Sequence, residues 1–167
     1  MVIITNFTPE YNEEEKIYYY RADEVIPCPV CGGELGKRGW RLRRLKKLDG
    51  GLHLLKVQRF ICKGCGKSHR GLPKFIVPYK QLELEAIEHV INRVPTKEEN
   101  DDRTIRHIFT WWWAMIDYIE RYMAAIKEGE GGVITILSPL TNLAEIARVL
   151  VNSHKWPCTH FALRHGP

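Results

Sequence analysis

Two stretches decide how this chain folds: Cys28-Pro29-Val30-Cys31-Gly32-Gly33 and Cys62-Lys63-Gly64-Cys65-Gly66, with 30 residues between Cys31 and Cys62. Each has two residues between its cysteines, which lets both sulfurs bind one metal ion from a single tight turn. The glycine after the second cysteine lets the backbone curl, so that amide groups can point at the thiolates. Together the two pairs predict one metal site with four sulfur ligands.

Zinc suits this ligand set because it accepts four thiolates tetrahedrally at about 2.3 Å. An iron site of the rubredoxin kind uses the same ligands and stays open as an alternative. A redox-active Cys-x-x-Cys fits poorly, since there are two pairs and no βαβ pattern surrounds either. A catalytic zinc keeps an open position for water, whereas four cysteines close the shell. We therefore predict one structural Zn²⁺, held by Cys28, Cys31, Cys62 and Cys65, which folds a segment with too small a core of its own.

The residues between the two pairs read as a β-hairpin. Residues 39–48 and 52–61 form two extended segments, and Asp49-Gly50-Gly51 lies between them. Asp-Gly between two strands is a strong hairpin signal, because the turn requires positive φ. The hairpin and the two cysteine knuckles predict a zinc ribbon over residues 27–80, preceded by a leader over residues 1–26.

The charge of the chain is unevenly distributed. Residues 28–80 carry 14 lysines and arginines and two acids, a net charge of +12, whereas the remainder carries −7. After about two units are subtracted for a four-thiolate zinc site, roughly +10 remains. Such a surface favours a polyanion, so we expect nucleic acid as the partner. An acidic protein partner and a merely solvated surface are the alternatives. The hairpin residues assigned to phosphate contact are Lys37, Arg38, Arg41, Arg43, Arg44, Lys46, Lys47, Lys56 and Arg59.

The second half of the sequence has helical periodicity. It predicts helices over residues 81–93, over a short segment capped by Thr96 and Glu99, over residues 103–128, and from Ser138-Pro139 to Asn152. This order resembles a helix-turn-helix, in which the start of the last helix enters the major groove. The polar positions there are Arg103, Thr104, Arg106, His107 and Thr110. A long core helix with a polar outer face is the alternative.

The predicted fold class is therefore α+β: an N-terminal zinc ribbon followed by an all-α, helix-turn-helix-like domain over residues 81–152. Residues 153–167 are expected to form an irregular tail. In it, His154, Cys158, His160 and His165 suggest a second metal site, but their spacing matches no known ligand pattern, and incidental histidines are the favoured interpretation. No apolar run approaches the ~20 residues of a membrane span. The acidic start lacks the features of a secretory signal, which predicts a cytoplasmic protein.

The cysteine region resembles the zinc ribbon at the front of insertion-sequence transposases. The resemblance is carried by the first knuckle, the basic strand, Leu48-Asp49-Gly50, and the second knuckle with His69 four residues after Cys65. The wider layout is similar to short bacterial proteins associated with mobile elements. This resemblance implies a transposase accessory, or a stand-alone N-terminal part of a transposase, that works with a transposase or integrase. The acidic trio and ribonuclease-H-like fold of the catalytic half are missing from this sequence.

The functional prediction is a non-enzymatic, zinc-dependent DNA-binding protein, since the sequence has no Ser/His/Asp set, no P-loop and no open metal site. The alternative is a zinc-ribbon module that docks on a transposase or polymerase. The sequence specifies neither the oligomeric state nor a preference for DNA over RNA.

Overall fold

The computed structural model describes residues 1–92, 102–130 and 143–157. Six strands come first along the chain: β1 (Val2–Ile4), β2 (Phe7–Asn12), β3 (Ile17–Ala22), β4 (Leu35–Lys46), β5 (Leu52–Cys62) and β6 (Ser68–Pro73). Three helices follow within the described residues: α1 (Leu84–Ile91), α2 (Asp102–Glu130) and α3 (Leu143–Asn152).

Strand β5 is the centre of the sheet. On one edge it pairs antiparallel with β4 along nearly its whole length. The other edge is shared: residues 55–57 pair parallel with β3, and residues 59–61 pair antiparallel with β6. Strands β2 and β1 then extend the sheet beyond β3 and β6, giving the order β1-β6-β5-β3-β2 with β4 on the opposite side of β5.

The predicted hairpin is present as β4 and β5. Its register runs from Leu35 opposite Cys62 to Lys46 opposite Leu52, with a bulge between Lys37 and Trp40. At the turn the amide of Lys47 donates to the carbonyl of Gly51 over 2.8 Å. The hairpin is slightly longer than the sequence pattern indicated, because β4 begins at Leu35, immediately after the first knuckle.

Helices and sheet share one hydrophobic core. Leu45, Leu55 and Val57 from the hairpin belong to the same buried cluster as Ile87 of α1 and Trp112 of α2. Alternate side chains of a strand face opposite sides of the sheet. The face of β5 that carries Leu55 and Val57 is therefore the one covered by the helices. A smaller cluster on the other side contains Val2, Ile4, Ala22 and Phe60.

The prediction of a zinc ribbon followed by an all-α helix-turn-helix domain is wrong. Residues 1–26, assigned to a leader, supply three strands of the sheet, so the β-structure extends well beyond a ribbon. The buried faces of all three helices lie in the cluster that also contains the strand residues, so the helices form a layer on the sheet rather than a fold of their own. Helix α3 is also joined to β1, where the amide of Ile3 donates to Asn152 Oδ1 over 2.7 Å.

The predicted long helix over 103–128 corresponds to α2, and the predicted helix over 81–93 corresponds to the shorter α1. The short helix capped by Thr96 and Glu99, and the helix start at Ser138-Pro139, lie outside the described residues. In the part of the chain that the structure describes, no helix is both long enough and apolar enough to cross a membrane.

A substitution at Gly71 in β6 tests how tightly β6 packs against the side chains of Ile4 in β1 and Phe60 in β5. A Cβ atom at Gly71 would lie 2.4 Å from Ile4 Cδ1 and 2.6 Å from Phe60 Cε2, both buried. We expect Gly71→Ala to lower the free energy of unfolding by about 1–3 kcal/mol, because overpacking forces these side chains apart. Urea denaturation measures the change. The matched control is Gly36→Ala in β4, where the nearest atom is Ile61 O at 3.7 Å. Equal midpoints for the two variants would contradict this packing.

Candidate metal centre

The structure brings the four predicted cysteines together. The Sγ atoms of Cys28, Cys31, Cys62 and Cys65 all lie within 4.8 Å of one another. Cys28 and Cys62 are buried, whereas Cys31 and Cys65 are exposed. Two contacts join one sulfur from each pair: Cys31 to Cys62 at 3.4 Å and Cys28 to Cys65 at 3.7 Å. The two knuckles therefore face each other across a single centre.

The two knuckles have the same backbone hydrogen bonds. In the first, the amide of Cys28 donates to Gly33 O and the amide of Gly32 donates to Cys28 O, both over 2.8 Å. In the second, Cys62 and Gly66 make the equivalent bonds, over 2.9 and 3.0 Å. Gly32 and Gly66 have φ values of 72° and 70°, which residues with a Cβ rarely adopt. The repeated Cys-x-x-Cys-Gly pattern thus forms the same turn twice.

The sulfur positions fit a tetrahedral metal ion. Metal–sulfur bonds of about 2.3 Å in a tetrahedron give sulfur–sulfur edges of about 3.8 Å. The Cys31–Cys62 and Cys28–Cys65 separations, 3.4 and 3.7 Å, are close to that edge. The amide of Cys65 also donates to Cys62 Sγ over 3.4 Å, as a backbone amide does toward a metal-bound thiolate. The residues present can therefore hold one metal ion with four sulfur ligands.

Two of the four thiols have strongly shifted pKa values. The hydrogen bond from the amide of Cys65 is the main cause that lowers the pKa of Cys62 to about 6. The amide of Gly33 favours the thiolate of Cys31, but hydrogen bonds to Cys62, Cys65 and Cys28 outweigh it and raise the pKa of Cys31 to about 12. Neighbouring sulfurs thus resist simultaneous ionisation, and a bound cation would relieve that repulsion.

Two further contacts support the cluster from outside. His69, which is buried, places Nε2 3.4 Å from Cys28 Sγ, within reach of an N–H···S hydrogen bond. Burial is the main cause that lowers the pKa of His69 and so favours its neutral ring. Glu34 follows the first knuckle and Lys63 lies inside the second, and their side chains pair at 2.7 Å. His69 appeared in the sequence motif, but only the fold shows it beside a ligand.

The basic residues of the hairpin fall on both faces of the sheet. Past the bulge, Arg41 and Arg43 are paired with Val57 and Leu55, so they lie on the face covered by the helices. Arg44 lies on the opposite face, as does Trp40, whose ring contacts Tyr19. Among the hairpin residues assigned to phosphate contact, the exposed ones are Lys37, Arg38, Arg41, Arg44, Lys47 and Arg59, and the half-buried ones are Arg43, Lys46 and Lys56.

Two of these lysines have partners inside the protein. Lys56 forms an ion pair with Glu15 at 2.5 Å and also reaches the hydroxyl of Tyr19. Lys37 donates to the carbonyl of Ala22 over 2.9 Å. Part of the predicted basic surface is therefore used to attach the hairpin to β3 and the turn before it, a use that the charge count alone does not reveal.

The positions assigned to base contact lie at the start of α2. Arg103, Arg106, His107 and Thr110 are exposed, and Thr104 is half-buried. Thr110 donates to the carbonyl of Arg106 within the helix. Arg103, Arg106, His107 and Thr110 therefore share one exposed face of α2, but that helix packs in the layer on the sheet and not in an all-α helix-turn-helix domain. Of the tail cluster, only His154 lies within the described residues, where it is exposed.

Comparison with known proteins gives one family match. A family model described as a domain of unknown function (DUF6431) matches residues 28–108. The match begins at the first ligand and ends in α2, so it includes both cysteine pairs, the hairpin and α1. No curated protein and no solved structure matches the chain. That description names no activity.

Replacing one cysteine tests whether the four cysteines form a single metal site. We expect Cys62→Ser to bind no metal and to melt at a lower temperature, because three sulfurs no longer close the shell and Cys62 terminates the central strand. Equilibrium dialysis against a divalent metal measures the stoichiometry, which should be one ion per wild-type chain. Cys158→Ser is the control and should retain that ion. If both variants bound metal equally, the four-cysteine centre would be wrong.

Proposed function

We propose that this protein is a zinc-stabilised DNA-binding protein. One structural Zn²⁺ joins the two knuckles, and the arginine-rich hairpin that begins and ends at those knuckles contacts the phosphate backbone. The observation that supports this proposal is the gathering of four Sγ atoms within 4.8 Å where β5 ends and β4 begins. A metal there would fix both strands of the hairpin, which carries nine of the 25 lysines and arginines of the chain and one acid.

Zinc is the proposed metal because of the donor set. All four ligands are sulfur, the soft donor that selects zinc or iron over magnesium or calcium. Four protein ligands leave no position for water or substrate, so the ion has a structural rather than a catalytic role. When bound it would neutralise the thiolates and hold the two turns together. The chain's own residues would then provide the surface that contacts the partner.

The surface for DNA would be formed by hairpin cations that remain exposed. Arg38, Arg41, Arg44 and Arg59 lie on the two long strands, with Arg41 and Arg44 on opposite faces, and Lys47 lies in the turn after β4; none of the five is in an ion pair among the described residues. Cations on a rigid ribbon can neutralise several phosphates at once. Such contacts give affinity and steep salt dependence but little base selectivity.

A second candidate function is docking on another protein. Trp113 on α2 is 61% exposed, although its neighbours Trp111 and Trp112 are buried in the core. A large exposed aromatic residue is typical of a binding hot spot. The partner in this case would be a transposase or polymerase, as the resemblance of the cysteine region to transposase zinc ribbons implies. A role in transposition is thus part of the proposal through that resemblance alone.

The metal content tests the first half of the proposal. Protein purified without added metal should contain about one zinc and no iron per chain, as measured by mass spectrometry of the elements. Cobalt substitution should produce the intense visible absorption of tetrahedral thiolate coordination. Iron at one equivalent in the freshly purified protein would overturn the assignment of zinc, while leaving the four-sulfur site intact.

A salt titration of DNA binding tests the second half. With about four phosphate contacts, affinity for a duplex should fall about 100-fold between roughly 50 and 200 mM salt. The double variant Arg38→Gln, Arg44→Gln should reduce the slope of log affinity against log salt by about two. Fluorescence anisotropy with a labelled duplex gives both quantities.

The matched control is Arg121→Gln, which removes an exposed arginine of α2. It should leave both affinity and slope unchanged. Chelation of the metal should abolish DNA binding, because the metal would no longer join the two knuckles at the ends of β4 and β5. Absence of binding to any duplex at low salt would contradict the DNA-binding proposal and favour docking on a protein.

A further inference from the structure

A cluster of cationic and N–H groups lies beside the hairpin, away from the cysteines. Its centre is Arg43 of β4 and Lys80, which precedes α1. The guanidinium Nη2 of Arg43 donates to the carbonyl of Lys80 over 3.3 Å. Lys80 Nζ lies 4.1 Å from the ring centroid of Trp111 in α2. The cluster thus takes one residue from the sheet (Arg43), one from the segment before α1 (Lys80) and one from helix α2 (Trp111).

Backbone hydrogen bonds hold this arrangement in place. The amide of Lys46 donates to Gln81 O over 2.7 Å, and the amide of Glu83 donates to Lys46 O over 3.1 Å. The segment after Lys80 is therefore paired with the end of β4 as an extra length of sheet. The residue before Lys80, Tyr79, has φ of 63°, an uncommon conformation for a residue with a side chain. These backbone hydrogen bonds fix the position of the Lys80 main chain relative to β4.

Two buried donors of this cluster have no hydrogen-bond partner. Arg43 Nε and Trp111 Nε1 are both buried and unpaired. Trp111 is only 6% exposed as a whole residue. A buried donor without a partner is costly, and native structures normally satisfy such groups with protein, water or a ligand. The cluster therefore has hydrogen-bonding capacity that the described residues do not use.

The cluster is also unbalanced in charge. Arg70 is close enough to Arg43 to lower the pKa of that guanidinium, although burial is the larger cause. Arg70 lies directly opposite Arg59 in the β5–β6 register. Like charges facing each other across strands are destabilising. Burial lowers the pKa of Lys80 to about 8.

No carboxylate compensates these cations among the described residues. None of the ion pairs there includes Arg43, Arg59, Arg70 or Lys80. Glu83 is the nearest acid along the chain, but its carboxylate is bound to His53 Nδ1 at 2.7 Å. Buried charges are normally paired. An unpaired group of cations with orphaned N–H donors is the environment that an anion completes.

We infer that Arg43, Lys80 and Trp111 form the centre of a binding site for a tetrahedral oxyanion, a phosphate or sulfate group, with Arg70 and Arg59 at its margin. Guanidinium and ammonium groups bind such oxyanions through charge-assisted hydrogen bonds, and the indole N–H adds a neutral donor. The inference goes beyond the proposed function, since it rests on this cluster alone. The group has two possible sources: the backbone phosphate of a nucleic acid, or a free anion or small phosphorylated molecule.

Thermal unfolding with inorganic phosphate tests the site. The melting temperature of the full, metal-loaded chain should rise by about 2–4 °C with phosphate, relative to chloride at equal ionic strength. The variants Lys80→Met and Arg43→Met should lose this rise, whereas Lys80→Arg should keep it. The matched control is Arg121→Met, which removes an exposed arginine of α2 outside both the cluster and the hairpin and should respond like the wild type.

Folding and binding are separable in this experiment. Because Lys80 is a half-buried cation that forms no ion pair among the described residues, Lys80→Met should melt in chloride at or above the wild-type temperature. A Lys80→Met protein that keeps the full phosphate response would overturn the inference. So would a wild-type protein that phosphate stabilises no more than chloride does.

Duplex binding by Lys80→Met then identifies the source of the oxyanion. A salt slope reduced by about one, together with competition by inorganic phosphate, identifies a nucleic-acid phosphate as the ligand. Unchanged duplex affinity in a variant that has lost its phosphate response identifies a free anion. Failure of the wild type to bind DNA, with the phosphate response intact, refutes the proposed function and leaves this site standing.

Discussion

The rest of this structure depends on the pairing of β5 along both of its edges. A strand held by β4 on one side and by β3 and β6 on the other cannot shift its register without breaking three sets of hydrogen bonds. A shift of one residue would also exchange its two faces. Leu55 and Val57 would leave the core, and Cys62 would turn away from the other three sulfurs. The pairing of β5 therefore determines both which of its side chains enter the hydrophobic core and where Cys62 lies relative to the other three cysteines.

Alternation along the hairpin also explains how the basic residues are divided. Strand geometry assigns Arg43 to the helix-covered face and Arg44 to the opposite one, although the two are adjacent in sequence. The protein thus has two separate clusters of chemically like groups: four thiols at the far end of β5, and guanidinium and ammonium groups near α2. No carboxylate forms an ion pair with Arg43 or Lys80 among the described residues, and four neighbouring thiols would need a cation in order to ionise together. The proposed metal and the inferred oxyanion are the two ions that would complete these clusters.

The sequence was most informative where chemistry requires fixed spacing. Two Cys-x-x-Cys-Gly turns and Asp49-Gly50-Gly51 were sufficient to predict the cysteine cluster and the hairpin. They could not reveal the parallel pairs, because nothing local in Val2–Ile4 indicates a partner at Gly71–Pro73. The helical pattern also correctly predicted that α2 is a helix, but the prediction that α2 belongs to an all-α domain was wrong. An apolar stripe predicts that a helix is buried on one side, but it does not distinguish packing on a sheet from packing on other helices. No local sequence pattern distinguishes Arg70 and Lys80 from the other basic residues, because their role depends on the residues that surround them in the fold.

The parallel contacts of the first strands have a consequence for the order of folding. Val2 pairs with Gly71, and Ile3 is bonded to Asn152, a separation of 149 residues. The hairpin is local and can form early, whereas these edges close only after most of the chain has emerged from the ribosome. Until then β5 and β6 expose unpaired backbone to other chains. A nascent chain that captured its metal early would hold the hairpin in register during that interval, when aggregation competes with completion of the sheet.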